Sequence, residues 1–110
     1  MSNQDLLEHI AAEIGPEEAV TVSAWFGLPC LKTFSEGKSR VFAIVADSDM
    51  AFKLVGEKHA EALRIEDAKL FKHRWSERVM KEWVVVPAKH STLWNRFALA
   101  AFETVSTAGQ

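Results

Sequence analysis

Apolar residues near the start of the chain recur every three or four positions, which is the spacing of one face of a helix. This stripe consists of Leu6, Leu7, Ile10, Ala11 and Ile14. Gly15 and Pro16 follow it, and they end a helix because glycine suits the position after the last turn and proline cannot continue the hydrogen-bond ladder. The pattern therefore predicts a first helix over about residues 3–14.

Short runs of alternating apolar and polar residues come next, and they predict antiparallel strands joined by tight turns. The runs cover residues 20–26, 30–34, 40–46 and 50–54. Gly27 and Pro29 separate the first two runs. Because proline in a strand belongs at an edge or a bulge, we expect one strand to bend here and to continue through Phe34. The chain then forms three or four strands before its second helix.

The second half of the chain alternates helical and strand patterns. Residues 56–65 contain good helix formers with a thin apolar face, and residues 69–71 form a weakly marked strand. The apolar run over residues 83–86, which a proline ends, predicts a strand buried on both faces. After a cap at Ser91 or Thr92, an apolar stripe predicts the last helix. This stripe consists of Trp94, Phe97, Ala98, Ala101, Phe102 and Val105.

The order of these elements predicts an α+β sandwich of the form α-β(3)-α-β(2)-α, with an antiparallel sheet and helices packed on one of its faces. The chain has 110 residues, of which 48% are hydrophobic and 25% are charged. These values are typical of a folded domain and exclude disorder as the main state. We therefore expect a single domain over residues 1–110, with an ordered core over about residues 3–106.

The charge pattern bears on compartment and partners. The net charge of −2 argues against a globally basic nucleic-acid binder, although it allows a local basic patch. The first 31 residues contain no Lys or Arg, which argues against a signal or transit peptide, and no apolar run is long enough to cross a membrane. The one cysteine, Cys30, suits a reducing compartment. We expect a cytoplasmic protein without a membrane partner.

The residues that usually carry catalysis are scattered along the chain. The four histidines, His9, His59, His73 and His90, fall on separate predicted elements. No nucleophile elbow, zinc motif or glycine-rich phosphate loop is present, so we expect no enzymatic activity, no metal and no cofactor. Cys30 is expected to be a small core residue rather than a functional thiol. Asp47 and Asp49 flank a turn, where we expect them to accept from local backbone donors.

One segment combines positive charge with an aromatic residue. Residues 68–90 hold six basic residues against two acidic ones, a net charge of +4, whereas the rest of the chain has a net charge of −6. Trp25, Trp83 and Trp94 are expected to pack in or near the core, but Trp75 lies in a polar stretch. The candidate contact residues for a nucleic acid or a partner are Lys69, Lys72, Arg74, Trp75, Arg78 and Lys81. The alternative is a solvated connection whose charges offset the acidic first helix.

Four short motifs resemble the TfoX N-terminal domain family, which is related to the MmcQ/YjbR-like proteins. They are residues 25–30 (WFGLPC), 41–45 (VFAIV), 52–54 (FKL) and 79–87 (VMKEWVVVP). The resemblance covers about residues 5–106 and implies an α-β(3)-α-β(2)-α fold like that of secretion chaperones. It implies a stand-alone domain without the C-terminal module of TfoX, and a link to competence regulation or DNA binding, but it brings no catalytic residues.

Three functions remain open from the sequence. The first is a non-enzymatic regulatory or interaction domain, with DNA or a regulatory protein as its partner and with Lys72, Arg74 and Arg78 sharing one exposed face with Trp75. The second is a protein-binding, chaperone-like module that acts as a monomer or homodimer through a sheet face or edge. The third is a small-molecule-binding protein or an enzyme, which would need a pocket with converging polar groups.

Overall fold

The computed structural model describes residues 3–14, 20–25, 27–35, 38–46, 48–72 and 79–107. In this part of the chain, three helices pack on a six-stranded antiparallel sheet, which confirms the predicted α+β class. The helices are α1 (Asn3–Ile14), α2 (Gly56–Leu63) and α3 (Trp94–Thr107), and a 3-10 turn (Ala88–Leu93) leads into α3. The strands are β1 (Thr21–Trp25), β2 (Leu28–Ser35), β3 (Lys38–Ala46), β4 (Asp49–Lys53), β5 (Lys69–Lys72) and β6 (Val79–Val86).

The sheet has the order β1-β2-β3-β4-β6-β5, so that β6 returns between β4 and β5. All neighbouring strands are antiparallel. Residues 83–86 are all buried and have a strand on either side, as their continuous apolar run predicts. Strands β1 and β5 form the two edges of the described sheet.

The first predicted strand is two strands, and this is a correction. The chain does not bend at residues 27–29 but reverses, because Trp25 at the end of β1 pairs with Leu28 at the start of β2. Gly27 has a φ of +82°, a conformation that glycine adopts without steric cost. Pro29 pairs with Ala24 and precedes the first pair between β2 and β3, so its missing N–H interrupts no β2–β3 hydrogen bond. Four strands therefore precede α2.

The start of the last helix also differs from the prediction. Ser91 and Thr92 lie inside the 3-10 turn, and α3 begins at Trp94. The 3-10 turn begins directly after Pro87, one residue beyond the end of β6. The Trp94 indole Nε1 then donates a hydrogen bond of 3.1 Å to the carbonyl oxygen of Val86, which ties the start of α3 to the end of β6.

The main core lies between the helices and one face of the sheet. Aromatic contacts join the two layers. The ring centroids of Phe52 in β4 and Phe97 in α3 are 6.3 Å apart, and those of Phe42 in β3 and Phe102 in α3 are 5.6 Å apart in an edge-to-face contact. Leu7 and Ile10 of α1 bury their side chains in the same cluster. Each such side chain contributes about 1.5–3 kcal/mol by leaving water. This cluster has more buried members than the one on the opposite face, so it supplies most of the apolar burial among the described residues.

The opposite face of the sheet carries a second apolar cluster. Its buried members are Cys30, Ile44, Ala51, Phe71, Trp83 and Val85, and its half-buried members are Trp25, Leu28, Val41, Ala46 and Met80. All of these residues lie in strands, and none of the described helix residues belongs to the cluster. We call this surface the open face.

Candidate functional site

The pairing register places one row of side chains straight across the open face. Successive partners run from Ser23 through Cys30, Ile44, Ala51 and Val85 to Lys69 at the other edge. Side chains of paired residues point to the same side of a sheet, so this row is apolar in the middle and polar at both ends. The open face therefore has a polar rim and an apolar centre. We call this centre closed because its side chains Cys30, Ile44 and Ala51 are fully buried.

Two tryptophans of the open-face cluster stack on each other. Trp25 lies on β1 and Trp83 on β6, and a flat sheet would hold these strands about 19 Å apart because three strands separate them. Their ring centroids are nevertheless only 6.3 Å apart, with an interplanar angle of 19°. The sheet must therefore coil, and the open face is concave. Both side chains pack as the sequence predicts for them, and Trp94 is buried in the other layer.

Cys30 lies in this closed centre and is fully buried, in agreement with its predicted packing role. Burial raises the pKa of the Cys30 thiol, and the nearby Lys32 amine and the Ser23 backbone oppose this shift more weakly. A thiol with a raised pKa remains protonated at neutral pH and is a poor nucleophile. The environment of Cys30 is that of a core residue.

The structure describes three of the six predicted contact residues. Lys69 and Lys72 lie on the edge strand β5, and Lys81 lies on β6. All three side chains are exposed, and within the described part of the chain their amines form no ion pair. Arg74, Trp75 and Arg78 lie outside the described residues. The predicted face that they share with Lys72 therefore stays a prediction.

The three described lysines do not all point the same way. Lys69 faces the open side because its partner is Val85, whereas Lys72 pairs with Val79 on the opposite side of the alternating edge strand. Lys81 lies where β6 leaves its register with β5, and its carbonyl accepts a 2.7 Å hydrogen bond from His59 of α2. The lysines therefore border the sheet rather than form one flat patch.

A cavity of about 210 Å³ lies beside β5. It is lined by Ala46, Asp49, Lys69, Leu70, Phe71, Lys72 and Val85. The carboxylate of Asp49 is already engaged, because its Oδ1 accepts a 2.9 Å hydrogen bond from the backbone N–H of Ala88. This contact corrects the expectation of a purely local role for Asp49, since it joins β4 to the start of the 3-10 turn. Asp47 lies outside the described residues.

Lys89, a member of the basic segment, is neutralised by acidic neighbours. Its amine contacts the carboxylate of Asp67 directly and lies 3.7 Å from Glu66. The hydrogen bond and charge of Lys89 lower the pKa of Asp67, and the same contacts raise the pKa of Lys89. The basic segment of the sequence therefore does not act as one unit, because its last lysine belongs with the acids that follow α2.

Charge separates by layer instead. The helix layer consists of α1, α2, α3, residues 64–68 and the 3-10 turn, and the sheet layer consists of the six strands. Among the described side chains, the helix layer has eight acids (Asp5, Glu8, Glu13, Glu57, Glu61, Glu66, Asp67 and Glu103) and four basic residues (Lys58, Arg64, Lys89 and Arg96). The sheet layer has two acids (Asp49 and Glu82) and six basic residues (Lys32, Arg40, Lys53, Lys69, Lys72 and Lys81). Counted over the described side chains, the helix layer therefore has an excess of four acids and the sheet layer an excess of four basic residues.

Sequence reasoning missed three rim residues of the open face. Lys32 pairs with Val41, and Lys53 pairs with Trp83, so both lysines lie on the same side as the open-face cluster. Phe34 lies two residues beyond Lys32 on β2, on the same side by alternation, and its side chain is 67% exposed. The alternation of residues within one strand indicates which of its side chains share a face. Only the pairing registers of the sheet show that Lys32 of β2 and Lys53 of β4 lie on the same face.

The remaining candidate chemistry is dispersed. On α1, the Nε2 atom of His9 lies 3.9 Å from Oε1 of Glu13. His59 is hydrogen-bonded through its Nε2 to the Lys81 carbonyl oxygen. Within the described residues, no three side chains of the metal-binding types gather at one point. None of the described helices is long and apolar enough to cross a membrane.

Comparison with known proteins adds no relative. No family model, no curated protein and no solved structure matches this chain.

Proposed function

We propose that this chain is a non-enzymatic interaction domain, related to the TfoX N-terminal domain family, that contacts a nucleic acid through its sheet layer. The observation that carries this proposal is the separation of charge between the two layers. A polyanion is attracted to the sheet layer and repelled by the helix layer, so a chain with a net charge of −2 still has a surface suited to phosphates.

The exposed lysines at the sheet border support this role. Lys69, Lys72 and Lys81 make no ion pair within the described chain, so neutralising a phosphate would require no existing contact to break. The predicted contact residues Arg74, Trp75 and Arg78 follow β5 directly in sequence. In the sequence, these six residues combine basic side chains with an aromatic residue, a pattern typical of nucleic-acid contact.

The proposal is tested by fluorescence anisotropy with labelled duplex and single-stranded oligonucleotides between 50 and 200 mM salt, the range over which phosphate contacts lose most of their affinity. We expect binding at low salt that the double variant Lys69→Ala/Lys72→Ala weakens. The slope of log affinity against log salt should fall by about 0.7–0.9 for each phosphate contact removed.

The matched control is Lys58→Ala/Arg64→Ala, which removes two exposed positive charges from the helix layer. Both double variants change the net charge equally, so a difference between them reports position rather than total charge. The proposal fails if the unmodified protein retains neither kind of oligonucleotide at low salt.

A second candidate function is self-association through the edge strand β1. Strand β1 contains no charged residue and no proline, and natural edge strands commonly use such residues to prevent pairing with another chain. The opposite edge, β5, is protected by Lys69 and Lys72. A second copy of this chain could therefore add its own β1 and extend the sheet.

Light scattering across a range of concentrations tests self-association. Ala24→Pro should give a monomer, because Ala24 lies one pair from the turn-closing pair Trp25–Leu28, and its backbone N–H therefore points away from β2. A strict monomer for the unmodified protein at all concentrations would eliminate this candidate.

A further inference from the structure

The open face has a rim on which an aromatic ring and basic side chains lie side by side. Phe34 is the most exposed of the large hydrophobic residues that the structure describes, at 67%. Lys32 lies two residues away on the same strand and the same face, which corresponds to about 7 Å along the strand. A ring and an amine at this separation can contact a base and a neighbouring phosphate of one chain.

The other basic residues of the rim extend this arrangement across the sheet. Lys53 lies two strands from Lys32 and shares its face because its partner is Trp83. Lys69 lies at the far edge, in the row that passes through Val85. Among the described side chains, these three amines border the concave face together with the carboxylate of Asp49, whose Oδ1 already accepts a hydrogen bond from the Ala88 backbone.

The aromatic residue distinguishes the two forms of nucleic acid. A duplex keeps its bases paired and stacked, so it offers a protein surface mainly phosphates and groove edges. A single strand can splay its bases onto aromatic rings while its phosphates follow a basic groove. Phe34 has no role in binding a duplex backbone, but it is placed to stack on an unpaired base beside Lys32.

We propose that the open face binds single-stranded nucleic acid, with a base stacked on Phe34 and phosphates held by Lys32, Lys53 and Lys69. This inference rests on the proposed nucleic-acid function and assigns it a form of nucleic acid and a face of the sheet. Cys30, Ile44 and Ala51 at the centre of the face are fully buried and do not contact the ligand.

The test compares three labelled probes at one low salt concentration: a 12-nucleotide oligo-dT, a 12-nucleotide oligo-U and a 12-base-pair duplex. We expect both single strands to bind more tightly than the duplex, and the difference between dT and U identifies DNA or RNA as the preferred source. Phe34→Ala should reduce single-strand affinity by about fivefold or more without changing duplex affinity. Phe34→Trp should retain single-strand binding.

Leu99→Ala is the matched control, because Leu99 is an exposed hydrophobic residue of α3 in the helix layer, at 44% exposure. It should leave all three affinities unchanged. Lys32→Ala/Lys53→Ala should weaken single-strand binding, whereas Lys58→Ala/Arg64→Ala should not. Circular dichroism and thermal melting confirm that each variant is folded.

The outcomes separate this inference from the function on which it rests. If the duplex binds as tightly as the single strands, or if Phe34→Ala behaves like Leu99→Ala, the open-face inference is wrong. The proposed function would survive that result provided that Lys69→Ala/Lys72→Ala still weakens binding. If no probe binds at low salt, both proposals are wrong.

Discussion

At the scale of single residues, Cys30 is buried within a cluster whose described members all lie in strands. Cys30, Ile44 and Ala51 are fully buried, although their cluster contains only strand residues. Trp25 and Trp83 belong to the same cluster, and their rings stack with centroids 6.3 Å apart. Accessibility of the thiol therefore reports whether this cluster is intact.

We predict that Cys30 does not react with a thiol-specific disulfide reagent in the native protein. The buried thiol has a raised pKa and no access to solvent, so it should react only when the protein opens. The measurement is the rate of thiol modification across a urea titration, which should follow the unfolding curve. Prompt modification in native buffer would contradict the closed centre.

The same residue predicts a loss of stability at alkaline pH. The folded pKa of Cys30 lies above its unfolded value of roughly 8.5, so the folded state holds the proton where the unfolded thiol ionises. This contribution to stability is present below the unfolded pKa and falls as pH rises above it. Urea unfolding at pH 7 and pH 9.5 measures the loss.

The control for this pH effect is Cys30→Ala, which removes the titrating group. The variant is expected to be less stable at every pH because it leaves a small cavity, but its stability should fall less between the two pH values. Equal pH dependence in both proteins would assign the alkaline loss to other groups.

At the scale of elements, the hairpin between β1 and β2 sets the strand count. We predict that Gly27→Ala destabilises the protein by about 1 kcal/mol, because a residue with a side chain is strained at a φ of +82°. No heavy atom lies within 4 Å of the added Cβ, so the cost is conformational rather than steric packing. Urea denaturation of the two proteins measures the difference.

Gly27→Asn provides the comparison for this prediction. Asparagine tolerates positive φ better than alanine, so its variant should be closer in stability to the original protein. If Asn and Ala at this position cost the same, the strain at Gly27 is not the cause of the loss.

The elements also show which parts of the fold the sequence determines locally. The bounds of α1 and the burial of residues 83–86 follow from periodicity and length of an apolar run, and both are confirmed. The reversal at Gly27 does not follow, because glycine and proline mark an interruption that suits either a bend or a turn. Only the pairing of Trp25 with Leu28 decides between them.

At the scale of the whole molecule, the charges of the described side chains follow the layers rather than segments of sequence. Lys89 belongs to the basic stretch of the chain but lies with Glu66 and Asp67 in the structure. Lys32 and Lys53, which are far apart in sequence, share the open face. Of the candidate site, only the lysines at the β5 edge could therefore be predicted from the sequence. Which side chains of different strands share a face depends on the pairing register between strands, and local sequence does not determine that register.

The layered charge predicts how the whole molecule binds a polyanionic surface. Although the net charge is −2 and the pI is about 6.1, we expect retention on a heparin column at pH 7.5 and low salt, because the sheet layer can face the matrix. Lys69→Ala/Lys72→Ala should elute at lower salt, whereas Lys58→Ala/Arg64→Ala should elute like the original protein. The two variants have the same net charge, so binding governed by total charge would lower their elution salt concentrations equally. An equal decrease would show that the layers do not act as separate charged surfaces.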